Sequence, residues 1–269
     1  MEKAVYITKI DDINEVMNRI SDFSRVYFGN EFCERLLPKR EELEEMLVFA
    51  KENGMRFTFV TPYVTNQGLR ILEKLFEYLS KTDESCEVVF NDFGVLRVLL
   101  KRYEDDFKPV MGRLLIKMKR GPRLMNLIDI LPETTVRYFR SYSLDTRIFR
   151  DFLLKNKIER VELDNLLQGV HLSLANHGIS ASLYFPYAYI TTTRACLSIN
   201  CDVLGKEDDV GVFPCKKECQ RYVFYLRNRI MPVLLIRKGN TVFFKNEKIP
   251  ENLEKIGVDR IVYEPKIPL

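Results

Sequence analysis

Apolar and polar positions fall into short blocks along this chain, and the blocks switch between a period of two and a period near 3.6. K-A-V-Y-I-T-K-I (Lys3 to Ile10) alternates and is rich in β-branched and aromatic residues, which predicts a strand. Asp11-Asp12 then opens a helix to about Ser21. R-V-Y-F-G (25–29) predicts a second strand running straight into N-E-F-C-E-R-L-L-P, so Cys33 lies just past its C-terminal end. After Pro38 a charged helix over Arg40 to Asn53 carries Leu43, Leu47 and Ala50 on one face, and Gly54 stops it as a C-cap. R-F-T-F-V-T (56–61) is a strand, and Asn66 caps a helix bearing Leu69, Leu72, Leu75, Phe76 and Leu79. C-E-V-V-F-N-D (86–92) is the next strand, with a helix over Gly94 to Tyr103. R-L-L-I-K-M (113–118) reads as the fifth strand, and a long irregular stretch leads to a helix over Asp145 to Asn156. R-V-E-L-D-N (160–165), a helix over Leu166 to Asn176, S-L-Y-F-P-Y-A-Y-I (182–190) and a final D-R-I-V-Y-E-P (259–265) complete eight strands.

Eight strand–helix alternations with continuously apolar strands imply a parallel sheet covered by helices. Right-handed crossovers can close it into a TIM-type (β/α)8 barrel, with an open doubly wound sheet as the alternative. Residues 1–269 then form one barrel domain carrying two special segments. One is cysteine-rich, 191–222. The other, 232–244, is a hairpin turning at Lys238-Gly239-Asn240 ahead of the last strand.

Composition changes this picture little: 46% hydrophobic residues in 269 suffice for a substantial core. The longest apolar runs, Ala181 to Ile190 and Pro232 to Ile236, fall short of the roughly 18 residues of a membrane span, so a cytoplasmic protein without a membrane role is expected. A net charge of +4, from 42 basic and 38 acidic residues, is too balanced to recruit nucleic acid by overall field.

The cysteines carry more information. Four of the six, Cys196, Cys201, Cys215 and Cys219, fall in the 191–222 segment as C-x4-C, a polar acidic loop and C-x3-C, a spacing that lets soft thiolates converge on zinc or an iron–sulfur cluster. Buried structural cysteines and disulfides are the competing readings. Gly205 to Asp209 is a solvated stretch offering thiols little core, and nothing in the sequence suggests an oxidising compartment. The working face of an α/β barrel is built by the loops after its strands. Cys33 follows the second strand and Cys196 the seventh, so closure of the barrel lets them meet. Cys86 precedes its strand, so it belongs on the opposite face, in a structural or incidental role.

V-Y-F-G-N-E-F-C-E-R, E-V-V-F-N-D-F-G-V-L, Y-F-P-Y-A-Y-I-T-T-T-R-A-C-L, C-K-K-E-C and the terminal R-I-V-Y-E-P together resemble the collagenase-like peptidase superfamily, and within it the UbiV branch. The resemblance spans nearly the whole chain. It implies a barrel, a 4Fe-4S cluster held by Cys33, Cys196, Cys215 and Cys219, a heterodimer with a UbiU-like paralogue, and a part in oxygen-independent hydroxylation or a related redox modification. The stretch between Cys196 and Cys215 is longer than the UbiV pattern and adds Cys201. A Cys196, Cys201, Cys215, Cys219 set would instead suit zinc (Zn), in a zinc-stabilised non-enzymatic partner subunit.

Peptidase chemistry ranks last. A hydrolase needs an activated nucleophile or metal-bound water with a base at hand, and the chain has neither H-E-x-x-H nor G-x-S-x-G. Its two histidines, His171 and His177, precede the seventh strand and read as structural. Glu31, Tyr63, Asn91 with Asp92, Glu162 with Asp164, and Tyr187 stand at strand ends where they could line a mouth, although Asn91-Asp92 also fits a helix cap. Arg113, Lys117, Lys119, Arg120 and Arg123 form the one concentrated basic segment, solvated by default. At a barrel mouth, Arg113 and Lys117, with Asp92 and Glu162, are the candidates for a small anionic or aromatic substrate. No aromatic residues interleave that segment, which weakens an RNA-binding reading.

Overall fold

The computed structural model describes residues 1–82, 86–172, 177–211, 214–251 and 253–269. Strands β1 (Glu2–Ile7), β2 (Arg25–Gly29), β3 (Arg56–Val60), β4 (Cys86–Phe90), β5 (Phe107–Met111), β6 (Arg160–Asp164) and β7 (Ser180–Phe185) lie parallel in chain order. The chain then makes a separate antiparallel sheet from β8 (Tyr187–Thr192), β9 (Phe224–Leu226), β10 (Leu235–Lys238) and β11 (Thr241–Lys245), in the order β8-β11-β10-β9. It returns as β12 (Val258–Tyr263), which pairs with β7 on one side and β1 on the other and closes an eight-stranded parallel barrel. This is the TIM-type (β/α)8 architecture expected from the sequence, its eight parallel strands closed rather than left as an open doubly wound sheet.

Helices α1 (Arg40–Glu52), α2 (Asn66–Leu79), α3 (Phe93–Arg102), α4 (Glu133–Arg140) and α5 (Arg147–Lys155) belong to the outer layer. Their apolar stripes explain how they dock: α1 buries Leu43, Met46 and Ala50, and α2 buries Leu72, Leu75, Phe76 and Leu79. The Thr65 hydroxyl caps α2 by accepting from Gly68 N at 3.3 Å, and Asp92 caps α3 by accepting from Gly94 N at 2.6 Å. Inside the barrel an apolar and aromatic layer includes Tyr6, Tyr27, Val89, Val110, Tyr184 and Val262. Below it, at the N-terminal end, Arg260 pairs with Glu87 and Glu2, and Arg25 with the same two carboxylates.

The structure departs from the sequence pattern at five places. The fifth strand is Phe107–Met111 rather than 113–118. Its Lys108-Pro109 interrupts the apolar signal, yet Pro109 sits in register with Val88, while Arg113–Leu115 is a 3-10 turn beyond the strand end. The 182–190 run is two strands in two sheets, because Pro186 offers no N–H to continue the ladder and the chain turns there out of the barrel. The 10–22 segment forms two 3-10 pieces rather than one α-helix. No helix starts at Leu166: residues 167–168 form a turn, and the end of that expected helix, 173–176, lies outside the described residues. A short α4, whose residues are all partly or fully exposed, occupies part of the stretch read as irregular.

The small sheet sits over the C-terminal ends of the barrel strands. Its Tyr189 and Phe243 pack with Phe32 from the loop after β2, and Tyr189 Oη donates to the Arg113 carbonyl from the loop after β5. Among the described residues no helix is long and apolar enough to cross a membrane.

Candidate functional site

The mouth of the barrel is built from residues that follow β2, β5 and β6, with the small sheet above them. Asn30 ends β2 with an Asx turn: its side-chain carbonyl accepts from Phe32 N at 3.0 Å and Cys33 N at 2.9 Å. That turn aims Cys33 toward the sheet while Phe32 is buried between Tyr189 and Phe243. On the far side Cys196 forms an antiparallel bridge with Gly211, its N–H donating to Gly211 O at 2.6 Å. Buried Glu218 ties the two halves of the cysteine segment together, accepting from Asn200 N and Lys216 N, each at 3.1 Å. Lys217 adopts a left-handed conformation (φ 58°) that turns the chain between Cys215 and Cys219.

Cys33, Cys196, Cys215 and Cys219 consequently line a single cavity. Cys201 is not on its wall; burial raises its thiol, and the charges acting on it are those of Asp202, Glu218 and Arg237. Cys86 lies at the N-terminal end of β4, buried on the opposite face. None of the six cysteines is in a disulfide. Burial pushes the Cys33 thiol up to about 11, with the neighbouring Cys219, Cys215 and Cys196 adding to the rise. Burial likewise raises Cys196 and Cys219. These thiols are therefore protonated at neutral pH in the metal-free protein, and a thiophilic metal must displace their protons.

The donor set suits such a metal. The wall carries four sulfurs and no carboxylate or imidazole among the described residues, and three cations, Arg35, Arg194 and Lys217, border it. Hard, oxygen-seeking ions find no carboxylate there, whereas thiolate charge finds compensation. The enclosed space is about 30 Å³, and among the described residues no group of three or more His, Cys, Asp or Glu side chains is arranged to hold a metal ion. Gly239, at the hairpin turn with φ +57°, forms the floor against Cys219: an added Cβ would stand 2.7 Å from Leu269 Cδ2 and 3.0 Å from Cys219 Cβ. Gly239→Ala is expected to cost about 1–2 kcal/mol from the left-handed backbone alone and to displace Cys219. Urea unfolding should show a modestly lowered midpoint.

Beside the thiols lies a second buried cluster. Arg113, fully buried, donates to Glu31 Oε2 at 2.8 Å, Asp164 Oδ1 at 3.1 Å and Glu264 Oε1 at 2.7 Å, and its guanidinium stacks 3.9 Å from the Tyr184 ring centre. Arg120 makes a further ion pair with Asp164. Three carboxylates face two guanidinium groups, and burial raises Glu31 and pushes Glu264 up to about 8. Arg113 is thereby spent on internal carboxylates and offers no free cation to an anionic substrate.

The other sequence candidates also find structural partners. Asp92 serves as the α3 cap and accepts from Val64 N at 3.2 Å. Asn91 ties the loop after β3 to the loop after β5, donating to Thr61 O and accepting from Leu114 N. Glu162 sits inside the barrel rather than at its mouth, accepting from Tyr27 Oη at 3.0 Å. Lys117 and Lys119 are exposed and Arg123 is solvated, as a surface run would be. Tyr63 and Tyr187 do reach the mouth, Tyr63 donating to Thr193 O at 2.6 Å and Tyr187 N to Glu264 Oε2 at 3.0 Å. His171 accepts from Arg137 at 3.2 Å and His177 is exposed ahead of β7; neither lines the thiol cavity. Sequence reading missed Glu264, since a carboxylate after the last strand carries no local signal of its partner. It also missed Asn240, whose amide donates to Phe32 O, Tyr63 Oη and Thr193 O and binds the hairpin to the mouth.

No family model matches the chain, and no curated protein matches it in sequence. Among solved structures, a U32 peptidase is similar over 100% of this chain and 94% of its own, with a TM-score of 0.46 and 11% identity. Two structures of a GH18 chitinase from Cycas revoluta, a mutant in complex with (GlcNAc)4 and a complex with (GlcNAc)3, are similar over 98% of this chain and 94% of theirs, with TM-scores of 0.32 and 0.31 and 8% identity.

Proposed function

We propose that this chain binds a 4Fe-4S cluster through Cys33, Cys196, Cys215 and Cys219 and acts in, or assists, an oxygen-independent hydroxylation or related redox modification. The collagenase-like peptidase superfamily, and its UbiV branch with a UbiU-like partner, are part of the same proposal and rest on the sequence motifs. The observation that carries the reading is the meeting of Cys33, from the loop after β2, with three thiols from the 191–222 segment at one cavity.

When bound, the cluster would supply one-electron transfer. The chain's own residues do the rest. Asn30 orients Cys33, Glu218 holds the segments carrying Cys196 and the C-x3-C turn together, and Arg35, Arg194 and Lys217 offset the negative charge of a fully thiolate-ligated group. The zinc set containing Cys201 has less support, because that thiol stands off the shared wall.

Protein prepared without oxygen is expected to be brown, with about four irons and as many labile sulfides per chain. Cys33→Ser is expected to lose most of that iron, and Cys201→Ser to keep it. Colourless protein with stoichiometric zinc, or full iron in Cys33→Ser, rejects the proposal.

A further inference from the structure

A second cavity, about 240 Å³ in volume, opens at the C-terminal end of the barrel beside the thiols. Thr8 and Lys9, which follow β1, and Asn30, which follows β2, line it, so it stands on the face where barrels of this kind present ligands. It shares Leu36, Lys217 and the Leu269 side chain with the thiol cavity, making the two spaces neighbours across one wall.

Its lining has two chemical characters. Phe28, Leu36, Leu37 and Pro38 give an apolar side. Lys9 and Lys217 supply two ammonium groups, neither with an ion-pair partner among the described residues, and Asp12 is taken by Lys266. Glu42, the side-chain carboxylate on the wall among the described residues, is occupied at the start of α1, accepting from Lys39 N at 2.6 Å. Gln220 completes the polar side: its amide N–H reaches Cys219 Sγ at 3.5 Å, while its side-chain oxygen is buried without a hydrogen-bond partner among the described residues. Two cations without ion-pair partners and an apolar wall define a complementary ligand, an anion with an apolar body. The volume lies below the ~300 Å³ at which pockets for drug-sized molecules begin, so that ligand is small.

We propose that this cavity is a binding site for a small carboxylate with a compact apolar body, its anionic end between Lys9 and Lys217 and its body against Phe28 and Leu36. The site names the substrate class of the proposed function and rests on that reading for its role, since a ligand here would lie next to the redox centre. The larger cavity of about 710 Å³ lies at the opposite end of the barrel, away from the thiols, and its buried arginines, Arg25 and Arg260, are engaged by Glu2 and Glu87.

The test uses 4-fluorobenzoate as the probe, followed by fluorine NMR on the full chain prepared without oxygen, with iron measured in every sample. Saturable binding is expected, about tenfold weaker in Lys9→Met and in Lys217→Met, each of which removes one charged partner. The neutral 4-fluorobenzamide is expected to bind at least about tenfold more weakly than the carboxylate. Lys117→Met, a surface change away from the cavity, should bind as the native chain does. Lys9 is off the thiol wall, so Lys9→Met should keep its iron; an unchanged urea midpoint in that variant ties the lost affinity to the missing charge. Equal binding of the benzamide, or undiminished binding in Lys9→Met, overturns the site. Full iron without saturable binding overturns the site and leaves the cluster standing. Lysine-dependent binding in protein that takes up no iron keeps the site and overturns the cluster.

Discussion

Arg113→Met is expected to lower the stability of the protein at neutral pH by about 3–5 kcal/mol. The guanidinium is fully buried and serves Glu31, Asp164 and Glu264 at once, so its loss strands carboxylates that Arg120 alone must balance. Breaking a buried ion pair from one side costs about 3–5 kcal/mol, against a typical total stability of about 5–15 kcal/mol. The side chain also spans loops after β2, β5, β6 and β12, so the closure of the mouth is lost with it. The orphaned carboxylates must take up protons, and the variant should accordingly regain part of its stability as the pH falls toward 5. Arg113→Lys should rescue little, since an ammonium cannot present the planar fork that reaches three acceptors at once. Urea unfolding at pH 5 and pH 7 checks both statements, and a native-like midpoint for Arg113→Met at pH 7 would contradict the assignment.

Glu162→Gln should act in the opposite direction. Inside the barrel Glu162 accepts from Tyr27 Oη at 3.0 Å, Tyr27 in turn accepts from Arg260 at 2.6 Å, and the second carboxylate oxygen has no partner among the described residues. Burial pushes the acid up to about 8, despite the nearby charges of Arg260 and Arg160. A carboxyl raised in the folded state contributes stability that is complete below its unfolded value of 4.5 and is lost as pH rises toward 8. Glutamine mimics the protonated form, so the substitution should be neutral near pH 4.5 and stabilising at pH 7 by about 3 kcal/mol, from 1.36 kcal/mol per unit. Glu87 works against this trend in the native chain. Burial alone would raise it, but hydrogen bonds and charge from Arg260, with Arg25 and Arg160, hold it at about 2, so its contribution fades only in acid. Native stability is therefore expected to peak in mildly acidic solution. Urea midpoints for both proteins from pH 4.5 to 8 test the pair; a pH-independent difference would remove Glu162 from this role.

Much of the fold was readable from local pattern. Seven of the eight barrel strands fall on runs marked by alternation or by continuous apolar residues, and α1, α2 and α3 lie on their stripes. Strand β5 escaped because Lys108 and Pro109 break the apolar signal, whereas R-L-L-I-K-M carries a strand-like pattern and forms a 3-10 turn at its start. Pairing across the barrel supplied the ladder that the segment's own residues do not advertise. At the site, the position of Cys33 just after β2 and the C-x3-C turn were legible. The fates of Arg113 and Glu162 were not, because a charged residue near a strand end looks the same whether it faces substrate or three buried carboxylates.

The amino-acid order by itself determined the alternating strands and helices and the types of side chain available, because periodicity, capping and turn chemistry act over a few residues. Only the tertiary structure decided which of those side chains meet. β12 closes on β1 with Arg260 opposite Glu2, which brings the two ends of the chain together. The same closed frame sets Cys33 beside Cys215 and Cys219, leaves Cys201 off that wall, and buries Arg113 among carboxylates from three distant segments. Such contacts follow from barrel closure and exclusion of water, forces that couple residues far apart in sequence and so leave no mark on the pattern around any one of them.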